Sequence, residues 1–147
     1  MSLGKLDSRL ITFFGKVCTP FSRLALFIIF FWFGLLKVLE LSPASGLVID
    51  LLERTIPFVG PGTFLIMFGL FECLIGILFL IKGAERWALF LLLIHMITTF
   101  GPLFFLPLET WQSFMVPTLE GQYIIKNLAI IATAIGLVSR LKPAHGK

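Results

Sequence analysis

The stretch TFLIMFGLFECLIGILFLI, at residues 63–81, contains a single charged residue, Glu72, in an otherwise apolar run. A helix of this length crosses about 30 Å of hydrocarbon, because each residue adds about 1.5 Å. A charged side chain at bilayer depth costs roughly 2.5–3.5 kcal/mol on insertion scales, and it usually faces a bundle interior. The stretch therefore predicts a transmembrane helix that presents a polar face to other helices.

Three more stretches share this pattern of a long apolar run with an ionisable residue inside it: residues 24–41 with Lys37, residues 87–106 with His95, and residues 119–138 with Lys126. The chain is 58% hydrophobic and 14% charged, whereas a soluble domain is about 45–50% apolar and about 25% charged. We therefore predict an all-α integral membrane protein, with residues 1–147 as one domain. Its core is a four-transmembrane-helix bundle in contact with the lipid bilayer.

Lysine and arginine lie at the segment ends rather than in one patch, so the net charge of +4 does not indicate a nucleic-acid partner. Three regions carry most of them: the N-terminal arm with Lys5, Arg9, Lys16 and Arg23, the turn after the second span with Lys82 and Arg86, and the tail with Arg140, Lys142 and Lys147. By the positive-inside rule, both termini are expected in the cytoplasm.

Two amphipathic pieces flank the predicted spans. In residues 1–22, leucine and phenylalanine recur at helical spacing between charged residues, which predicts a helix on the inner membrane surface. Ser42-Pro43 resembles a helix cap and first turn, so a short outer surface helix is expected between spans one and two. It should end before Pro57, and Gly60-Pro61-Gly62 marks re-entry into the membrane.

Gly101-Pro102 predicts a kink in the third span, because proline removes a backbone hydrogen bond. Residues 107–120 are too apolar for an ordinary solvated loop, so they should lie in the outer interface or fold back over the bundle mouth. Four residues there or at its edge are outer-loop site candidates: Glu109, Trp111, Glu120 and Gln122. For Glu109 and Glu120, the simpler interpretation is a solvated carboxylate.

The intramembrane ionisable residues lie on small or polar helix faces, as an inward-facing set would. Ligand or pocket candidates on these faces are Lys37, Glu72, His95, Thr98, Thr99, Tyr123, Lys126 and Asn127. Counted from the outer surface at about 1.5 Å per residue, Lys37 lies about 6 Å deep and Glu72 about 14 Å deep. Helix side chains lean toward the N-terminus, so Lys37 and Glu72 should converge. His95 should lean toward the cytoplasm, away from the others.

We therefore predict a buried Lys37–Glu72 pair, with Lys126 lining an outward-facing polar pocket. Structural alternatives stay open at each position. Lys37 could snorkel to the headgroups, His95 could be a hydrogen-bonded packing residue, and the pair could serve only to hold the helices together.

Cysteine and histidine usage excludes several chemistries. Cys18 and Cys73 are predicted to lie at different depths and form no CxxC motif, so no dithiol is available for disulfide exchange. Only His95 and His145 are present, which argues against bis-histidine haem and a histidine-rich metal site. No metal site is expected.

Four motifs together resemble the DoxX-like membrane proteins, most closely the RclC-type (reactive chlorine resistance) branch. They are FFWFGLLK ending at Lys37, GLFECLIGILFLI around Glu72, ERWALFLL before Thr98-Thr99, and EGQYIIKNLAIIATA around Lys126. The sequence departs from that branch in two ways. The stretch after Lys37, LELSPASGL, has a weaker acidic and aromatic signature, and the outer loop is shorter. The resemblance implies a four-helix bundle in a bacterial inner membrane, with Lys37, Glu72 and Lys126 at the family's charged positions.

Three functions remain open. In the first, the chain is a redox- or oxidative-stress-associated subunit that binds a quinone or another small anionic or polar ligand. On its own it is not expected to be an enzyme. It would act as a subunit of a quinone-linked oxidoreductase, together with a partner oxidoreductase. In the second, it is a non-catalytic assembly or partner-binding subunit. In the third, it is a homo-oligomeric transporter of protons, anions or small molecules.

Overall fold

The computed structural model describes residues 3–142. Its helices are α1 (Leu3–Val38), α2 (Ser45–Thr55), α3 (Pro61–Leu80), α4 (Glu85–Phe100), α5 (Pro102–Phe105), α6 (Pro107–Thr110) and α7 (Leu119–Val138), and its strands are β1 (Trp111–Ser113) and β2 (Val116–Pro117). Four segments are long and apolar enough to cross a membrane: Gly4–Val38, Pro61–Leu80, Glu85–Phe105 and Leu119–Val138. The chain is therefore a multi-pass membrane protein, and its predicted helical bundle is confirmed at this level.

The first helix differs from the expectation of a separate surface arm. The described part of the arm is helical, but it runs into the first span without a break, so α1 has 36 residues. Pro20 lies inside this helix and removes one backbone hydrogen bond without ending it. Residues 1–2 and 143–147, which the arm and tail predictions included, lie outside the described residues.

The outer connection between α1 and α3 is close to the expectation. Its helix begins at Ser45 rather than at Ser42-Pro43, because the Ser42 hydroxyl accepts a hydrogen bond from the Ala44 N–H (3.3 Å) and closes a turn before the helix. The helix ends at Thr55, before Pro57, as predicted. α2 packs on α3 and α5 and so lies over one end of the bundle.

The third span breaks where Gly101-Pro102 predicted. α4 ends at Phe100 and α5 begins at Pro102, since proline has no N–H with which to continue the hydrogen-bond ladder. A Cβ added to Gly101 would lie 3.3 Å from a methyl carbon of Leu51 on α2. Gly101 therefore lies against α2 at the point where the third span is interrupted.

The segment after α5 contains a small antiparallel hairpin that the all-α expectation missed. β1 pairs with β2 through Trp111 opposite Pro117 and Ser113 opposite Val116. The hairpin turn carries Met115 at φ 59°, a conformation that asparagine and glycine usually provide. Because the turn lacks those residues, the sequence showed no hairpin signal.

α1 and α3 approach so closely that their backbones touch. A Cβ added to Gly34 would lie 2.5 Å from the Gly69 carbonyl oxygen, and one added to Gly69 would lie 2.6 Å from the Gly34 carbonyl oxygen. Gly76 continues this contact against the Phe31 backbone. Small residues permit such packing between membrane helices. The apolar core next to this seam is shared by α1, α3, α4 and α7: Leu26, Phe30, Ile75, Phe79, Ala88, Leu92, Met96, Ala134 and Leu137.

Candidate functional site

The predicted Lys37–Glu72 pair is present at the α1–α3 seam. The Lys37 ammonium donates a hydrogen bond to Glu72 Oε2 (2.6 Å), and both residues are only 5% exposed. Gly34 and Gly69, each one turn before its charged neighbour, bring the two backbones together at this level. Because the helices are antiparallel, side chains that lean toward their own N-termini converge across the seam. The snorkelling alternative for Lys37 is therefore wrong.

His95 belongs to the same cluster, and the expectation that it points away is wrong. Its Nε2 lies 2.8 Å from Glu72 Oε1, and the imidazole is buried. The depth estimate considered only the lean of the side chain along the helix axis. The packing of α4 against α3 instead turns the imidazole toward α3. Glu72 contacts it through its second carboxylate oxygen, Oε1. Lys37, Glu72 and His95 together are called the buried triad below.

The hydroxyl of Thr99 extends the buried triad at the far side of the imidazole. Thr99 Oγ1 lies 3.0 Å from His95 Nδ1 and 3.1 Å from the His95 carbonyl oxygen. With Nε2 donating to the carboxylate, a neutral ring accepts a hydrogen bond from Thr99 at Nδ1. A protonated ring donates at Nδ1, and the Thr99 hydroxyl then donates to the carbonyl oxygen. Both protonation states are thus hydrogen-bonded in the same arrangement.

Phenylalanine rings enclose the buried triad. Phe68 stacks on the imidazole with 4.9 Å between ring centroids, and Lys37 Nζ lies 5.7 Å from the same ring's centroid. Phe30 meets the imidazole edge-on at 5.5 Å, and Phe71 lies at 6.2 Å. Phe68 itself is half-buried. One ring thus covers both basic groups, and it is half-exposed, as Phe71 is.

The Lys37 ammonium has hydrogen-bonding capacity left over. It carries three N–H donors, and Glu72 Oε2 is its hydrogen-bond acceptor within residues 3–142. Both oxygens of Glu72 are engaged, as are both ring nitrogens of His95. Any further acceptor that entered this cluster would therefore be expected to meet Lys37 first.

The structure does not bring Lys126 to the buried triad. Its side chain is exposed, and its ammonium lies 4.9 Å from the centroid of the exposed Tyr123 ring. The predicted inward face of α7 is wrong, because Ile124, Ala134 and Leu137 form the buried face instead. The buried face of α7 thus combines small and large residues, with Gly121 among them, and the face with Lys126 is turned outward.

The other site candidates are also apart from the cluster. Asn127 donates to the Tyr123 carbonyl oxygen (3.3 Å) within α7, and Thr98 donates to the His95 carbonyl oxygen (2.7 Å) within α4. The outer-loop residues Glu109, Glu120 and Gln122 are exposed. Trp111 is half-buried, and its Nε1 donates to the Leu103 carbonyl oxygen (3.0 Å), so it anchors the hairpin to α5.

Sequence reasoning missed a second buried ion pair. The Arg23 guanidinium on α1 pairs with Glu85 at the start of α4, and the side chains are 15% and 1% exposed. Glu85 Oε2 also accepts a hydrogen bond from the Gly83 N–H (2.7 Å). In the sequence, Arg23 lies among the basic residues that set the membrane topology, and Glu85 lies just before the predicted span of residues 87–106. Both residues begin spans that run in the same direction, and this shared end of two parallel spans was the signal that could have linked them.

Two open cavities, of about 300 and 190 Å³, lie along the first half of α1, and neither is lined by Lys37, Glu72 or His95. Neither of them coincides with the predicted outward-facing pocket. Comparison of the chain with protein-family models, curated proteins and solved structures finds no match. The resemblance to DoxX-like proteins thus stays a prediction.

Proposed function

We propose that this chain is a small membrane subunit that binds the polar head of a quinone, or a similar oxygen acceptor, and handles a proton beside it. The buried Glu72 that bridges Lys37 and His95 is the observation that carries this proposal. Ionisable residues inside the membrane are costly and usually mark ligand or proton sites. A carboxylate, an imidazole and a hydroxyl in one hydrogen-bonded series are groups that exchange protons.

The proposed setting is a bacterial inner membrane with both termini in the cytoplasm. The resemblance to DoxX-like proteins supports the membrane, and the lysines and arginines around Arg23, Lys82 and Arg140 support the orientation. In this orientation the buried triad lies in the outer half of the bundle. A partner oxidoreductase is part of the proposal, since the chain carries no dithiol motif of its own.

The donors at the buried triad fit the carbonyl oxygen of a quinone. Lys37 has unused N–H groups, and the surrounding phenylalanine rings match the apolar ring of such a molecule. A bound quinone would supply a two-electron, two-proton acceptor. Entry requires the Phe68 ring to swing aside, because that ring covers both Lys37 and His95.

The chain's own residues then have distinct tasks. Glu72 holds the Lys37 ammonium in place and keeps the imidazole oriented through Nε2. Lys37 offers its remaining donors to the oxygen of the bound molecule. His95 holds or releases a proton at Nδ1, and Thr99 supplies the compensating hydrogen bond in either state.

The test is copurification of lipid-soluble quinone with the protein in a mild detergent, measured by mass spectrometry. The double variant Lys37→Met/Glu72→Gln removes the ammonium without leaving an uncompensated buried charge. We expect it to lose the quinone, whereas Lys126→Met, which removes an exposed lysine of the same size, retains it. Absence of quinone from the wild type, or equal loss in both variants, would contradict the proposal.

A second candidate is an assembly or partner-binding subunit, in which the buried triad only holds α1, α3 and α4 together. The observation in its favour is that Glu72 and His95 have every side-chain polar atom hydrogen-bonded within the chain. In that case the amount of any copurified small molecule would be the same in Lys37→Met/Glu72→Gln as in the wild type. Crosslinking to a larger enzyme would remain as in the wild type.

A further inference from the structure

A groove of about 190 Å³ lies between α1 and α7, away from the buried triad. Its polar and small lining residues are Cys18, Thr19, Ser22, Thr133, Gly136 and Arg140. We call it the Arg140 groove. It lies at the same end of the bundle as the Arg23–Glu85 pair and the turn between α3 and α4, where the Arg86 guanidinium donates to the Lys142 carbonyl oxygen (2.5 Å).

The lining of the Arg140 groove is rich in unused hydrogen-bond donors. The hydroxyls of Thr19 and Ser22 make no hydrogen bond within residues 3–142, and the Arg140 guanidinium makes no ion pair there. The nearby carbonyl oxygen of Gly136 already accepts from the Ser139 hydroxyl (2.9 Å). The Thr133 hydroxyl is used within α7, where it donates to the Ala129 carbonyl oxygen (2.7 Å). The donors left for a ligand are therefore Thr19, Ser22 and the Arg140 guanidinium, and the positive charge of Arg140 makes the groove suited to an anion.

The size of the Arg140 groove indicates a small polar group rather than a large ligand. Pockets for drug-sized molecules are roughly 300–1,000 Å³, which is larger than the 190 Å³ found here. A Cβ added to Gly136 would meet no atom within 4 Å, so the missing side chain leaves one side of the groove open.

The surroundings favour an anion that carries acyl chains. Exposed apolar side chains of the spans, Leu24 and Ile135 among them, lie close in sequence to the lining residues. The same end of the bundle carries Arg23, Lys82 and Arg86, and basic clusters at this level of a membrane attract anionic lipids. A phosphate held by Arg140 would thus leave its chains against the lipid-facing helices.

We propose that the Arg140 groove binds the phosphodiester of an acidic glycerophospholipid from the adjacent leaflet. Arg140 forms the ion pair with the phosphate, and the hydroxyls of Thr19 and Ser22 donate hydrogen bonds to its oxygens. Inorganic phosphate shares this chemistry but has no acyl chains to bury. The site is independent of the proposed quinone site, because it shares no residue with the buried triad.

The experiment is native mass spectrometry of the delipidated full chain titrated with phosphatidylglycerol or phosphatidylcholine. We expect preferential retention of phosphatidylglycerol, which Arg140→Gln lowers about tenfold, the value of one charged hydrogen bond. Gly136→Leu should lower it as well, by filling the groove without changing charge. Lys82→Gln is the matched control, since it removes an exposed cation at the same end and outside the groove.

Three results would overturn the proposal. Equal loss in Lys82→Gln and Arg140→Gln would show a diffuse surface attraction. Equal retention of phosphatidylcholine would show no selection for an acidic headgroup. Displacement of the lipid by inorganic phosphate at equal concentration would show a free-phosphate site. Gly136→Leu keeps the proposal testable if Arg140→Gln does not fold, because open space surrounds Gly136.

Discussion

Two buried charge clusters join α1 to α4, and they differ in what surrounds the carboxylate. Glu85 is held by Arg23 and by a backbone N–H of the turn before α4. Glu72 instead bridges two side chains, one of which is an imidazole that can carry a proton on either ring nitrogen. Burial of charge is therefore common to both clusters, but only the buried triad contains a group suited to exchange protons. Arg23–Glu85 therefore fits a structural role, and the proposed proton handling depends on the buried triad.

The largest expected effect is from Glu72→Ala, which leaves both Lys37 and His95 without their shared partner. We expect a loss of about 3–5 kcal/mol in the free energy of unfolding, as for other broken buried pairs. Denaturant titration in detergent micelles measures it. Glu120→Ala removes an exposed carboxylate and should change stability by less than about 0.5 kcal/mol. Equal stability of the two variants would show that the buried triad does not contribute to the free energy of unfolding.

Glu85→Ala sharpens the comparison between the two clusters. Its partner Arg23 is 15% exposed and retains some contact with the surroundings, so the expected loss is smaller, about 1–3 kcal/mol. The NMR signals of the His95 ring nitrogens should be unchanged, because the imidazole contacts Glu72 and Thr99 but not this pair. A change in those signals would mean that the clusters are coupled, contrary to their separate assignment.

Gly69→Ala tests whether the close α1–α3 approach is what positions the buried triad. The added Cβ would lie 2.6 Å from the Gly34 carbonyl oxygen, and such overpacking typically costs about 1–3 kcal/mol. The helices must separate, so the Lys37–Glu72 contact should lengthen and stability should fall. Gly136→Ala is the control, since open space surrounds that position. Similar stability of the two variants would contradict the packing argument.

The smallest effect is expected from Thr99→Val, which removes the hydroxyl beside His95 Nδ1 but keeps the side-chain volume. Loss of one hydrogen bond should cost about 0.5–1.5 kcal/mol. The informative readout is the ¹⁵N NMR spectrum of the His95 ring at one fixed pH, in which the Nδ1 resonance should shift because its hydrogen-bond partner is gone. Thr98→Val is the control, because Thr98 bonds only the backbone carbonyl oxygen. An identical Nδ1 resonance in both variants would exclude Thr99 from proton handling.

The sequence predicted the elements better than their faces. Charge in an apolar run led to the Lys37–Glu72 pair, since lean and depth along two antiparallel helices follow from local geometry. Side-chain lean and depth gave the wrong orientation for the His95 ring and the wrong helix face for Lys126. Which face of α4 and α7 is buried depends on the neighbours each helix meets, and on α7 that face holds Ile124, Ala134 and Leu137 rather than Lys126.

Length, hydropathy and local turn chemistry are properties of the chain itself. They were enough to determine the spans, the break at Gly101-Pro102 and the start of α3 at Pro61, because a membrane helix must satisfy its own backbone. The third member of the buried triad, the Arg23–Glu85 pair and the Arg140 groove were decided only by the tertiary structure. Each depends on the rotation and approach of two helices, and those follow from side-chain packing between segments far apart in sequence.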